Sequence, residues 1–317
     1  MFSYRHAFHA GSHADVLKHM ALVGVLKYLT QKDTPLTVVD THAGAGLYRL
    51  DGDYASTSGE AKDGIYKLFN ALAKVNTAGI ATDLEASMAP LLHDYLELIE
   101  RFNPSGGLKI YPGSPFVVHA LLRQEARDKL KLFELHPTDS KALGGHIAQM
   151  EAGRQVVMAR QDGFESLKAL LPPPKSSTGS QRALVLIDPS YEIKSDYARV
   201  ADCIADSLKR FATGTYMVWY PVIARPEAHD LPRRLKTLAT QANKSWLQAT
   251  LHIGQHPGMQ EVRLPGEAEL RGGMTASGIF IINPPHTLKT QLQTALPQIL
   301  RLLGRGVGQS WSADSGG

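Results

Sequence analysis

Residues 184–191 read LVLIDPSY. Leu184, Val185, Leu186 and Ile187 form an apolar run with no alternation, the pattern of a strand covered on both faces in a parallel sheet. Pro189 ends the strand and leaves Asp188 at its carboxyl end. In open parallel sheets ligands collect outside the carboxyl ends of the strands, so Asp188 and Tyr191 are expected to face a pocket. Read alone, Asp-Pro-Ser fits a plain turn equally well, with Asp and Ser bonding to nearby backbone.

Other strand ends shift that balance. Leu36–Asp40 (LTVVD) runs into THAGAG at 41–46, Leu130–Glu134 (LKLFE) into LHP, and Val156–Ala159 (VVMA) into RQDGF. Each run ends at or near an acid, giving Asp40, Glu134, Asp162 and Asp188 in chain order. Segments of helical periodicity, Phe116–Arg127 and Ser140–Glu151, lie between them, so strand and helix alternate in an α/β pattern. This is the layout of a nucleotide-type site: a glycine turn for close backbone approach, a carboxylate for ribose hydroxyls, and a further strand end for adenine.

The glycine loop is by itself a weak signal. AGAG offers Gly44 and Gly46 but not the third glycine of the dinucleotide fingerprint, and no Walker lysine is present. A ligand without a pyrophosphate, such as S-adenosylmethionine, accounts for the shortfall. A ribose-binding acid is expected about 20 residues after the loop, yet Glu134 lies far beyond it. Residues 51–109 therefore read as an insertion, and Ala61–Leu72 and Leu84–Phe102 carry apolar residues at helical spacing. Leu91, Leu92, Tyr95, Leu98 and Ile99 form one such stripe, which reads as small-core packing.

Asn283-Pro284-Pro285-His286 follows a second apolar run, Ile279–Ile282, and competes with Asp188 as a chemically active strand end. The amino terminus holds His6, His9, His13 and His19, which raises a metal site. Gly11 interrupts the helical relation of His9 and His13, no HExxH occurs, and the single Cys203 builds no thiolate site, so an ordered arm without metal is favoured. Ser12 is expected to cap a helix starting near Ala14, with Val16, Leu17, Met20 and Val23 buried and Lys18 and His19 reaching the pocket.

The composition sets outer bounds. A chain of 317 residues accommodates one catalytic α/β domain with a small insertion, and one cysteine excludes a disulfide framework and fits a reducing cytoplasm. No run of 18 apolar residues exists and the amino terminus lacks an apolar signal core, which argues against membrane insertion and secretion. The net charge of +4 is compatible with nucleic acid without demanding it. Lys209, Arg210, Arg225, Arg233, Arg234 and Lys236 either flank the Asp188 pocket as phosphate contacts or form a solvated face. Residues 172–181 (PPPKSSTGSQ) read as a connector, and the tail beyond Trp311 as frayed.

Several of these stretches together resemble one family. MFSYRHAFHAGSHADVLKH (1–19), DTHAGAG (40–46), YPGSP (111–115), ELHP (134–137), DGF (162–164), IDPSYE (187–192), RFATGTY (210–216), WYP (219–221) and GMTASG (273–278) look like the RlmJ family, in unbroken order over nearly the whole chain. Its members are S-adenosylmethionine-dependent 23S ribosomal RNA adenine-N6 methyltransferases. The resemblance implies a Rossmann-like class I methyltransferase sheet from 1–50 and 110–317, with an inserted helical subdomain at 51–109. It implies cofactor contacts at His19, His42, Gly44, Gly46, Ser114, Glu134, Asp162 and Gly163, and no metal. Asp188 becomes the catalytic acid, with Pro189 and Tyr191 in the same motif, and Tyr4, His6 and Lys18 line the active site. The family also carries an Asn-Pro-Pro after its late strand, which assigns 283–286 to a strand-terminating turn. Ser190 departs from the usual Asp-Pro-Pro-Tyr.

The expected partner is 23S ribosomal RNA before full ribosome assembly, in the cytoplasm, with no membrane and no obligate protein partner. Tyr191 is expected to stack on an extruded adenine. The rival readings are a DNA adenine-N6 methyltransferase and an RNA-binding protein without turnover; a nicotinamide oxidoreductase is the weakest, given the incomplete glycine fingerprint.

Overall fold

The computed structural model describes residues 6–51, 59–77, 88–255 and 274–317. A 3-10 turn, His6–Phe8, leads into α1 (His13–Leu29), β1 (Thr37–Asp40) and β2 (Leu47–Arg49). Then come α2 (Glu60–Asp63), α3 (Ile65–Thr77), α4 (Pro90–Arg101), β3 (Ile110–Pro112), α5 (Ser114–His119) and β4 (Lys129–Phe133). The middle of the chain supplies α6 (Pro137–Gln149), β5 (Val156–Ala159), α7 (Gly163–Leu170), β6 (Ala183–Ile187), α8 (Ser195–Arg210) and β7 (Thr215–Pro221). It closes with α9 (Pro226–Gln241), β8 (Trp246–His252), β9 (Ala276–Ile282), α10 (Leu288–Leu303) and β10 (Ser310–Gly316).

Eight strands form one sheet in the order β10-β8-β9-β7-β6-β1-β4-β5. Strands β5, β4, β1, β6 and β7 run parallel, while β9, β8 and β10 add antiparallel pairings. The chain builds outward from β1 to β4 and β5, then crosses back to start β6 on the other side of β1. That reversal opens a crevice at the carboxyl ends of the central strands.

The unalternating run of β6 has a direct cause. Leu184 and Leu186 enter the apolar cluster shared with α1, α4 and α10, and Val185 and Ile187 the cluster shared with α7, α8 and α9. All four are fully buried, as period-two side chains on a sheet sandwiched by helices must be. Helix α1 is buried from His13 to Leu26 on all sides. It is a central helix, not the one-sided arm helix expected.

Several expectations change. Ser12 occupies the N-cap of α1 but makes no side-chain cap bond; Asp15 instead turns back to accept the Gly11 N–H at 2.9 Å. The helix expected over 61–72 breaks at Gly64, where Ile65 N–H bonds to the Gly11 carbonyl at 2.8 Å. The one expected over 116–127 stops at His119, because Arg123 turns inward to hold Asp128 and the carbonyls of Thr30 and Lys32. Leu91, Leu92, Tyr95, Leu98 and Ile99 are buried in the main apolar cluster and not in a separate small core. The carboxyl-terminal tail is not frayed: Ser310 through Gly316 pair residue by residue with β8, and Ala313 is buried in the core.

Candidate active site

At the crevice beside β1 lies a cavity of about 310 Å³, within the size range of small-molecule sites. His6, Lys18, His19, His42, Gly44, Ser114, Glu134, Asp162, Gly163, Asp188 and Pro189 line it. Gly46 does not: a Cβ there would meet Leu143 and Phe116, so it faces packing. Tyr4 lies outside the described residues.

Asp188 follows β6 and projects beside Lys18 of α1, with Nζ to Oδ2 2.6 Å. Lys18 is buried and also meets Asp15 Oδ1 at 2.9 Å. Burial opposes its charge, but the two carboxylates outweigh it and hold the ammonium above its ordinary pKa. Lys18 is therefore a fixed cation and no base. Asp15, one turn earlier on α1, also accepts from His6 Nε2 at 2.9 Å. Its pKa stays well below the carboxylate range: burial would raise it, and His6 and Lys18 override burial. The chain His6, Asp15, Lys18, Asp188 thus fixes the orientation of the Asp188 carboxylate, and Oδ1 keeps no partner among the described residues.

Around the glycine loop the backbone donors are already spent. Ala43 N–H bonds to the Phe133 carbonyl at 2.9 Å, Gly44 N–H to Glu134 Oε2 at 2.7 Å, and Ala45 N–H to the Tyr48 hydroxyl at 3.1 Å. Glu134 also accepts His136 N–H at 2.7 Å, and burial pushes its pKa up. Asp162 caps α7 through Phe164 N–H and pairs with Arg199, whose guanidinium lies over the Phe164 ring. Burial would raise the Asp162 pKa, but Arg199 and the cap lower it. Gly163 is required by packing, since a Cβ there would lie 2.1 Å from the Thr41 carbonyl oxygen.

Two support contacts hold the remaining polar groups. Ser114 Oγ donates to Asp40 at 2.6 Å, and burial lifts the Asp40 pKa to about 7. The Thr41 hydroxyl gives its one proton to the Leu186 carbonyl, so it accepts from His42 Nδ1 at 2.8 Å. The His42 Nε2 that results is an acceptor, and burial pushes this ring down to about 4. His19, also pushed down by burial, to about 3, bonds Tyr111 through Nδ1 at 2.8 Å, while its buried Nε2 makes no hydrogen bond and lies 4.0 Å from Asp15 Oδ1.

Tyr191 does not present a stacking face. It is 3% exposed, packs on Tyr197 at 4.6 Å between ring centroids, and donates from its hydroxyl to the Trp219 carbonyl at 2.7 Å. Its backbone is held in the left-handed region, with Arg225 bonding its carbonyl. The downstream cations do not line the cavity either. Arg210 pairs with Asp206, Arg233 with Asp230 and Arg234 with Asp202, while Lys236 lies over Trp246. The histidines of the amino terminus are engaged separately, His6 with Asp15 and His9 with Glu60.

Sequence reasoning missed Asp15, Tyr48 and Arg199. Asp15 carries a faint signal, a carboxylate three residues before Lys18 on a helix; the other two reach the cavity only through tertiary folding.

Comparison with known proteins agrees with this geometry. Residues 33–314 match the family described as "Ribosomal RNA large subunit methyltransferase D, RlmJ". Ribosomal RNA large subunit methyltransferase J of Escherichia coli is 40% identical over 98% of this chain and 97% of its own length. The protein of the same name from Haemophilus influenzae is 37% identical over 99% and 98%. A crystal structure of a Legionella pneumophila protein superposes with a TM-score of 0.77 at 31% identity, covering 97% of this chain and 98% of the other. A sheet with its reversal at β1, an acid at each strand end of the crevice and a match along nearly the whole sequence lead to one assignment: this chain belongs to the RlmJ family of large-subunit ribosomal RNA methyltransferases.

Proposed function

We propose that this chain transfers a methyl group from S-adenosylmethionine to N6 of an adenine in 23S ribosomal RNA. The observation that carries the reading is the buried Lys18–Asp188 pair at a strand end, with one Asp188 oxygen left open in the cavity.

The cavity suits the cofactor. Among the described residues, Glu134, Asp139, Asp162, Asp188, Glu192 and Asp196 line it against two full cations, Lys18 and Arg199. Such a lining attracts a sulfonium and repels a pyrophosphate. The loop amides of residues 43–45 are consumed by protein acceptors, so they offer no cradle for phosphate oxygens either. Glu134 would accept from ribose hydroxyls, and Asp162 and Gly163 would meet the adenine edge, with His19, His42 and Ser114 around the remainder. When bound, the cofactor supplies an electrophilic methyl group on sulfur.

The target amine is a poor nucleophile because its lone pair is delocalised into the ring. Asp188 Oδ1 and the Pro189 carbonyl act as acceptors for the two amino hydrogens, favouring a pyramidal nitrogen and stabilising the charge that develops. Lys18 fixes the carboxylate through its other oxygen, so the acceptor does not reorient during transfer. His6 forms part of the wall beside it. The base must leave any helix to reach this position.

We place the activity in the cytoplasm, on naked or partly assembled RNA; among the described residues no helix is long and apolar enough to cross a membrane. The 51–109 segment is proposed as an inserted helical unit, though α3 and α4 share the main core. The test is incubation with methyl-labelled S-adenosylmethionine and unmodified 23S RNA, assembled large subunits or duplex DNA, with label mapped by mass spectrometry. N6-methyladenosine at one site in naked RNA is expected. Label on duplex DNA alone, or cofactor binding without transfer to any RNA, would overturn the reading.

A further inference from the structure

The glycine loop is clamped by two side chains outside its motif. The Ala45 N–H donates to the Tyr48 hydroxyl at 3.1 Å, and the Ala45 carbonyl lies 2.7 Å from His146 Nδ1, which must therefore be the donor. Tyr48 is 5% exposed and lines the cavity, packed so closely beneath Gly44 that a Cβ there would lie 2.4 Å from its oxygen. A phenol that accepts a hydrogen bond still has its own proton to give. Tyr48 gives it to no described residue, and burial holds the phenol well above its ordinary pKa, so the proton stays.

The neighbours narrow what it is for. Among the buried side chains of the cavity, Lys18 gives two of its three N–H groups to Asp15 and Asp188, Thr41 gives its proton to the Leu186 carbonyl and Ser114 to Asp40. Besides the third Lys18 N–H, beside two carboxylates, the Tyr48 proton remains unspent, while His19 Nε2 has no hydrogen-bond partner and lies 4.0 Å from Asp15 Oδ1. Both side chains neighbour Tyr111: Tyr48 is directly opposite it in the β2–β3 ribbon, and His19 stacks on it with ring centroids 5.5 Å apart. An anionic group entering a cavity lined by carboxylates needs unspent donors.

We infer that the Tyr48 hydroxyl donates to the carboxylate of the cofactor's amino-acid arm, with His146 as a positioning residue that sets the loop above it. This rests on the proposed use of S-adenosylmethionine. Calorimetry on the full chain with two ligands tests it: S-adenosylhomocysteine, which has the arm, and 5′-methylthioadenosine, which lacks it. Tyr48→Phe also removes the acceptor of the Ala45 N–H and so loosens the loop for both ligands; beyond that shared loss it is expected to weaken the first roughly tenfold more than the second, the lower range for a hydrogen bond to a charged group. His146→Ala is expected to weaken both ligands equally, since it moves the loop and keeps the donor. Equal weakening of both ligands by Tyr48→Phe, or no weakening of either, would overturn the assignment. Failure of the unaltered protein to bind S-adenosylhomocysteine would instead sink the cofactor reading beneath it.

Discussion

Two segments of this chain, Asp188–Tyr191 and Asn283–His286, look alike in sequence and end up at opposite ends of the sheet's strands. Each follows a buried apolar strand, begins with a short polar residue and continues into proline. Strand β6 is parallel to β1, so Asp188 emerges at the crevice. Strand β9 is antiparallel to β7, with Ile282 opposite Tyr216 near the amino end of that strand, so Asn283 emerges on the far side. There the Asn283 side chain donates to the carbonyls of Ala212 and Gly214 at 2.9 and 2.7 Å, closing a turn. The difference teaches that a motif acquires chemistry from the direction of its strand.

The sharpest way to break this comparison is to remove each leading residue. Asp188→Ala takes away the open acceptor and should lower methyl transfer by roughly 100- to 1,000-fold or more, the scale of losing a positioned electrostatic group. Affinity for S-adenosylhomocysteine, read by calorimetry, should stay within a few fold. A variant of undiminished rate would remove Asp188 from the chemistry. Asn283→Ala should do the reverse: near-normal turnover per folded molecule, with stability reduced by about 1–3 kcal/mol in urea unfolding, because two part-buried carbonyls lose their donor. Its backbone also adopts a positive φ that alanine tolerates less well. Lost turnover at full stability would make the two motifs equivalent after all.

The same contrast explains what the sequence made legible. In β1 and β6, burial on both faces writes itself as apolar runs; Lys131 interrupts β4 and the edge strand β5 exposes Val157, but the acids at or after the ends of all four strands mark the crevice, so these strands could be read directly. The antiparallel half gave weaker signals. Strand β10 (SWSADSG) is mostly small and polar residues around Trp311 and is held by its backbone ladder to β8, which no strong side-chain pattern announces. Asp15, Arg199, Tyr48 and His146 come from α1, α8, the β2–β3 ribbon and α6, and converge only in three dimensions. For Tyr191 the motif position says nothing of the space around its ring, which Tyr197 and Trp219 fill.

That correction is open to test within the Asp188 segment. If Tyr191 is an anchor and not a stacking face, Tyr191→Phe removes only the bond to the Trp219 carbonyl. It should cost about 1 kcal/mol of stability, the typical worth of one hydrogen bond, and leave the KM for RNA close to normal. A rise in KM at unchanged stability would return the ring to the substrate, through a rearrangement that frees it from Trp219.

The smallest effect is expected at Ser190, the residue that separates this segment from the usual Asp-Pro-Pro-Tyr. Ser190 is exposed at the cavity and makes no hydrogen bond to a described residue, so a proline there breaks nothing. The loop it belongs to is already held from both sides: Lys18 fixes Asp188, and Arg225 and Trp219 fix Tyr191. A second proline adds stiffness through the unfolded chain, worth about 0.4–1 kcal/mol where the backbone accepts it. Because neither the Asp188 carboxylate nor the Pro189 carbonyl changes, Ser190→Pro should leave kcat within about twofold of normal, or slightly above it, in single-turnover assays. A collapse of the rate would show that the serine itself does something in this loop, and the likeness to the Asn283-Pro284-Pro285 turn would then extend to neither position after the first proline.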